Sequence, residues 1–371
     1  MQNSIRELIE AFQNPSVEYN PVMMWFWNSD IDESGITFQL EKFREQNVVQ
    51  FFIHPAAGMS VPYMSDRFLE LIKHVVKEAK RLGMKYWIYD ENDWPSGMVG
   101  GLLREKYPES QQKELYFQKE RLAGQGDCVT VDRHGRFLCA QRIKFLEDCY
   151  LVTDVSELCE ITVDGECVRV QYHSQGTEPE EVLFWFSQLS DRVIYASLGR
   201  VGTQGVRGYI NVLREEYVAK FIEMTHERYK AAIGEEFGKT VMGVFTDEPT
   251  SFYRFEGPHP GPWDDEFWEM FEEDHGYSLK PYLYTLAYEP VTPREIKARE
   301  DYKATVGKRY QKAFIHQVSK WCRDNHLLLT GHFGGEEDLG GQIAQGDMQT
   351  EAMILDIPGL DSIHSLHAID N

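Results

Sequence analysis

The feature that most constrains this chain is a series of short, nearly unbroken apolar runs, each ending in polar or ionisable residues. They are Val22–Trp27 (VMMWFW, then Asn28), 48–53 (VVQFFI, then His54) and Lys85–Tyr89 (KYWIY, then Asp90, Glu91, Asn92 and Asp93). Two more are 241–245 (VMGVF, then Thr246-Asp247-Glu248-Pro249) and 327–330 (LLLT, then Gly331-His332). A sixth strand is expected at about 360–363, before His364. Runs that are apolar throughout, rather than alternating, belong to strands buried on both faces, as in a parallel sheet. Helical patterns separate them at about 33–45, 65–82, 213–234 and 294–325, with Ser65 as an N-cap and Gly83 as a C-cap. In parallel α/β folds the C-terminal strand ends face one shared site.

Between 112 and 207 the texture changes. Short stretches rich in Val, Ile, Phe and Tyr (128–131, 136–143, 161–170, 181–186 and 192–197) alternate with turn signals such as Asp164-Gly165. The expected architecture is therefore α/β: a (β/α)8 TIM-type barrel with an inserted antiparallel β subdomain. Residues 1–111 form the first part of the barrel, 112–207 the insertion, and 208–371 the continuation. Six barrel strands can be placed in 371 residues, so the barrel is expected to be incomplete at the C-terminus.

Charge narrows the partners. With 38 Lys+Arg against 60 Asp+Glu the net charge is −22, which argues against nucleic acid and against an anionic membrane surface. The start MQNSIRELIEAFQNP has no cationic segment followed by an apolar one. The six cysteines show no C-x-x-C spacing and read as free thiols. A cytoplasmic protein is expected.

The chemistry is sought at the strand ends. Glu248 in FTDEP is a carboxyl on rigid scaffold beside Asp247, and burial plus a like charge raise a carboxyl pKa towards that of a general acid. Asp247 is a candidate for binding substrate and reads about equally as a cap or ion-pair partner. In YDENDWPSG, Asp90, Glu91 and Asp93 can accept sugar hydroxyls and Trp94 can stack on a sugar ring; a charged turn is the plainer alternative. In TGHFGGEED, Glu336 and Glu337 could supply a second carboxylate. His54, His332, Asn28 and Trp27 complete the substrate-binding candidates, and Trp25, Phe252 and Trp263 are further candidates for stacking. Asp and Asn oxygens suit calcium, but the spacing does not fit an EF-hand loop. No zinc-type His pair, Gly-x-Ser-x-Gly elbow or Walker loop occurs, and no metal ligand set emerges.

VFTDEP (244–249), WPSG (94–97), MWFWN (24–28), TGHFGGEE (330–337), FIEMTHERY (221–229) and IPGLD (357–361) resemble a family of large bacterial glycoside hydrolases related to the α-L-rhamnosidase-like family 106. The resemblance spans about 21–112 and 208–364. It implies a catalytic barrel, hydrolysis of glycosides with a carbohydrate substrate and, in the rhamnosidase branch, inversion with a calcium ion at the site. It makes Glu248 the acid. Glu337 or Glu336 would then activate water, inverting at a carboxyl separation of about 6.5–9.5 Å and retaining at about 5–5.5 Å. Two other classes remain open at this stage: a non-catalytic carbohydrate-binding barrel and a metal-dependent lyase or aldolase.

Overall fold

A computed structural model describes residues 5–16, 19–124, 126–190, 208–251, 259–336 and 347–361. In chain order the strands are β1 (Val22–Trp27), β2 (Gln50–Pro55), β3 (Lys85–Tyr89), β4 (Lys113–Leu122), β5 (Cys128–His134), β6 (Arg136–Leu146) and β7 (Cys149–Asp154). There follow β8 (Cys159–Asp164), β9 (Cys167–His173), β10 (Glu180–Leu189), β11 (Val241–Asp247), β12 (Pro262–Trp263), β13 (Leu328–His332) and β14 (Ile357–Pro358).

Six strands form one sheet in the order β1-β2-β3-β11-β13-β14, with every pairing parallel. The order follows the chain, so right-handed crossovers put their helices on one face. That face carries the main core, including Trp25, Trp27, Phe51, Ile53, Tyr86, Ile88 and Val244. The opposite face holds a smaller cluster built on Phe52, Trp87 and Tyr89. Among the described residues β1 and β14 are the two sheet edges and no closed eight-stranded barrel is present. The sheet is thus a mixed α/β architecture's parallel component. Openness also corrects the reading of β1: Trp25 and Trp27 are buried, whereas Met24 and Phe26 remain 43% and 42% exposed.

The segment from β4 to β10 is antiparallel. Strands β12-β4-β10-β6-β7 make a five-stranded sheet and β5-β9-β8 a three-stranded one. Its core includes Val131, Val170, Tyr172, Phe184 and Phe186. The expected stretch at 192–197 lies outside the described residues.

Local chemistry explains most boundaries. The helix Asp66–Leu82 starts where the Ser65 side chain accepts from the Phe68 N–H and stops at Gly83, which is left-handed. The helical pattern at 213–234 is two helices, Glu215–Met224 and His226–Ile233, broken at Thr225. The pattern at 294–325 is likewise Pro293–Tyr310 and His316–Asp324 joined by a π turn, Gln311–Ile315. Among the described residues the last strand is Ile357–Pro358; of the strand expected at about 360–363, residues 362–363 lie outside the described residues.

Gly331 marks a close approach of β13 to β11. Its φ is +138°, and a Cβ there would overlap the Thr246 carbonyl oxygen on β11. Gly331→Ala should therefore cost about 2–4 kcal/mol, combining backbone strain with overpacking. Urea unfolding checks this, and a loss below about 0.5 kcal/mol, the range of ordinary surface substitutions, would contradict the close approach. No helix is long and apolar enough to cross a membrane among the described residues.

Candidate active site

The register of β11 against β13 sets Asp247 beside His332 at the C-terminal edge of the sheet. His332 Nε2 lies 2.9 Å from Asp247 Oδ1, and its Nδ1 lies 3.0 Å from Glu336 Oε1. Asp247 Oδ2 accepts from the Tyr89 hydroxyl, and Glu336 accepts from the backbone N–H groups of Asp361 and Phe333. The imidazole is thus clamped between two carboxylates. Burial opposes charging it, but the bonds to Asp247 and Glu336 outweigh burial and carry its pKa to about 10. The clamp stabilises the fold in full below the ring's ordinary value, and loses that contribution as pH rises towards the raised one.

Glu248 projects next to this triad. Its backbone N–H bonds the His332 carbonyl at 3.1 Å, and its φ is +46°. That conformation is costly for a residue with a Cβ and is held here by its surroundings. The strand end is pinned by Ser96, whose N–H bonds the Asp247 carbonyl at 2.8 Å and whose Oγ accepts from the Asp247 N–H at 2.7 Å. Half-burial pushes the Glu248 carboxyl up to about 7; the Asp247 charge adds to this, the His332 charge opposes it, and Asp361 and Glu336 add more. Glu248 can therefore hold a proton at neutral pH and still release it, the property general acid catalysis requires.

The structure separates the other candidates. Glu91 turns inward and is fully buried. Its two oxygens accept from the backbone N–H groups of Asn92, Gly97, Met98, Val99 and Gly100. Val99, Gly100 and Gly101 all have positive φ, which aims these donors at one point. Burial pushes the Glu91 pKa up to about 7 and the donors pull the other way. Glu91 is the post of the WPSG loop, not a sugar ligand. Asp90 is also fully buried and lies beneath the site. Trp27, on the helix side of β1, packs edge-on against Phe68 and Trp25, so it is core. Trp25 and Trp263 are core as well. Glu336 is buried and spent on the clamp. Asn28 is exposed at the end of β1. Glu337 and Phe252 lie outside the described residues.

Beside the carboxylates runs an aromatic floor. Phe26 lies against His54 (ring centroids 4.8 Å) and His54 against Tyr89 (4.5 Å). Tyr89 and Phe52 stack at 5.7 Å, Phe52 and Phe245 at 4.9 Å, and Phe245 meets His332 at 6.0 Å. Half-exposed Trp94 lies 6.3 Å from His54. Asp93 is buried close by, its N–H bonded to the Pro55 carbonyl at 2.9 Å. Tyr89, Ser96 and Phe26 were not identified from the sequence. Phe26 and His54 are register partners, so the alternation of β1 and β2 carries that signal.

Asp247, Glu248 and His332 bring one donor atom each within 4.8 Å of one another. The set does not fit calcium as arranged, since calcium takes about 6–8 oxygen ligands and His332 is a charged ring already held by carboxylates. No protein-family model and no curated sequence matches this chain. Among solved structures it is similar in fold to a rhamnosidase from Novosphingobium sp. PP1Y, with a TM-score of 0.60 and 14% identity. The match covers 96% of this chain and 49% of the rhamnosidase, so the chain spans about half that protein's length.

Proposed function

We propose that this chain carries the acid side of a glycoside hydrolase site. The observation that carries the reading is Glu248, a half-buried carboxyl raised to about 7 beside an aromatic floor. Glu248 donates its proton to the leaving glycosidic oxygen. The rings of Phe26 and Trp94 offer apolar surface to a sugar, backed by the buried ring of His54. The water-activating carboxylate is then Asp361, whose charge acts on Glu248, or Glu337. Exchanging each for its amide and adding azide separates them, because a small anion replaces the activated water only where the base is missing. The parallel sheet is read as the larger part of a (β/α)8-type barrel, with 112–207 inserted between 1–111 and 208–371. Its likeness in fold to a rhamnosidase puts α-L-rhamnosides first among substrates.

A panel of aryl glycosides led by the α-L-rhamnoside tests the reading. Turnover of at least one supports it. Saturable oligosaccharide binding with no hydrolysis would replace it with a carbohydrate-binding role.

Two pH results follow. Because the acid must be protonated, kcat/KM falls as pH rises through about 7. His332→Gln removes a positive charge that lowers the Glu248 pKa. The alkaline limb should then move upwards by roughly one unit or more. A limb that stays in place would mean that His332 does not act on the acid.

A further inference from the structure

Directly beneath the Asp247–Glu248 turn lie two titratable groups that the hydrolysis does not use. Asp90, following β3, is fully buried, and His226, opening the helix His226–Ile233, is 1% exposed. Asp90 Oδ2 and His226 Nε2 face each other at 3.7 Å, and neither has a hydrogen-bond partner.

Proton bookkeeping fixes what the other atoms do. The Thr225 hydroxyl donates to the Phe221 carbonyl at 2.7 Å, so its oxygen accepts from His226 Nδ1, also at 2.7 Å. His226 Nδ1 therefore carries a hydrogen. Ser96 Oγ accepts from the Asp247 N–H, so its own hydrogen goes to Asp90 Oδ1 at 2.5 Å. This leaves Asp90 Oδ2 opposite His226 Nε2. With no proton between them, two lone pairs would face each other in a dry core, an arrangement that costs several kcal/mol. One proton must be present, and it can reside on either group.

Geometry decides which. A buried imidazolium–carboxylate pair repays its desolvation only with close, well-aligned bonding. At 3.7 Å that bonding is missing. The rings packed on His226 are Phe221 and Trp321, which solvate no charge; at Asp90 the hydroxyls of Ser96 and Thr246 favour the ionised form, but burial and the like charges of Glu91 and Asp247 outweigh them.

We infer that Asp90 is a neutral carboxylic acid facing a neutral, Nδ1-protonated His226, and that this uncharged pair is the buried post from which Ser96 positions the Asp247–Glu248 turn. Burial drives both groups in the required directions, raising Asp90 well above the carboxylate range and lowering His226 to about 3. The positioning half of the inference rests on the proposed hydrolase reading; the protonation half does not. Asp90 and Ser96 act through the backbone of Asp247, so they are positioning residues.

The test has three arms. In histidine-labelled protein, ¹⁵N NMR should show His226 as the neutral Nδ1–H tautomer with no titration between about pH 5 and 8. Its resonance is assigned by its loss in His226→Gln. Asp90→Asn keeps both shape and neutrality, so its urea midpoint should match that of the wild type, whereas Asp90→Ala should lower the midpoint or fail to fold. Ser96→Ala should reduce kcat on any cleaved glycoside roughly tenfold, with KM within about twofold, as expected for a misplaced rather than missing acid. An imidazolium at His226, or Asp90→Asn as destabilised as Asp90→Ala, would overturn the neutral pair. An unchanged kcat in Ser96→Ala would overturn the positioning role. Absence of hydrolysis on every substrate would count against the hydrolase reading while the first two arms still decide the pair.

Discussion

Glu248→Gln is expected to lower kcat on a glycoside with an alkyl leaving group by roughly 10²–10⁴-fold, with KM little changed. Gln fills the same space and keeps a polar head, but it has no proton to give to the leaving oxygen. The variant should not lose stability, and this makes the activity loss interpretable. A carboxyl raised from its ordinary value to about 7 costs the fold nothing while it is protonated. As pH rises past the ordinary value and through about 7, the ionised group becomes a cost to the native state. Glu248→Gln should therefore unfold like the wild type at low pH. At pH values above that range it should be more stable than the wild type, by on the order of 2 kcal/mol. Equal activity in a folded variant would remove Glu248 from the chemistry.

Glu91→Ala should have the largest effect on stability. Five backbone N–H groups, from Asn92 and from Gly97 to Gly100, point at its two oxygens, and the side chain is fully buried. Alanine leaves those donors unpaired in a site with little access to water. At about 1 kcal/mol or more each, the loss is about 5 kcal/mol, comparable with the whole stability of many domains. The variant should unfold at much lower urea or fail to accumulate as folded protein. A loss below about 1 kcal/mol would mean that water replaces the carboxylate in the nest.

Much of this site is legible in the sequence, and the failures have definite causes. Glu248, Asp247 and His332 stand out because the apolar runs before them end abruptly at ionisable residues, and parallel strand ends converge. Asp90 and Glu91 stand out for the same reason, yet they turn into the protein. Adjacency in sequence does not say which way a side chain faces after the strand ends, and four of the five donors that draw Glu91 inward come from Gly97 to Gly100, several positions later. Trp27 fails differently. In VMMWFW both faces are apolar, so the two-residue alternation that sends Trp25 and Trp27 to the helices and Phe26 to the open face leaves no mark in the composition. Glu336 reads as a second catalytic carboxylate until its bonds to His332, Phe333 and Asp361 are seen. The break at Thr225 is also invisible as periodicity; the Thr225 hydroxyl on the Phe221 carbonyl ends one helix, and its oxygen then receives the His226 ring.

The central claim is that Glu248 is the proton donor to the departing oxygen, and leaving-group dependence tests it most directly. For a series of aryl glycosides of one sugar, kcat/KM of the wild type and of Glu248→Gln is plotted against the pKa of the departing phenol. A strongly acidic phenol leaves without protonation, so the two proteins should differ little there. The gap should widen steadily as the phenol becomes less acidic, giving the variant the steeper slope. Parallel lines, with the same loss for every leaving group, would contradict the assignment and leave Glu248 a role in binding or in holding the fold.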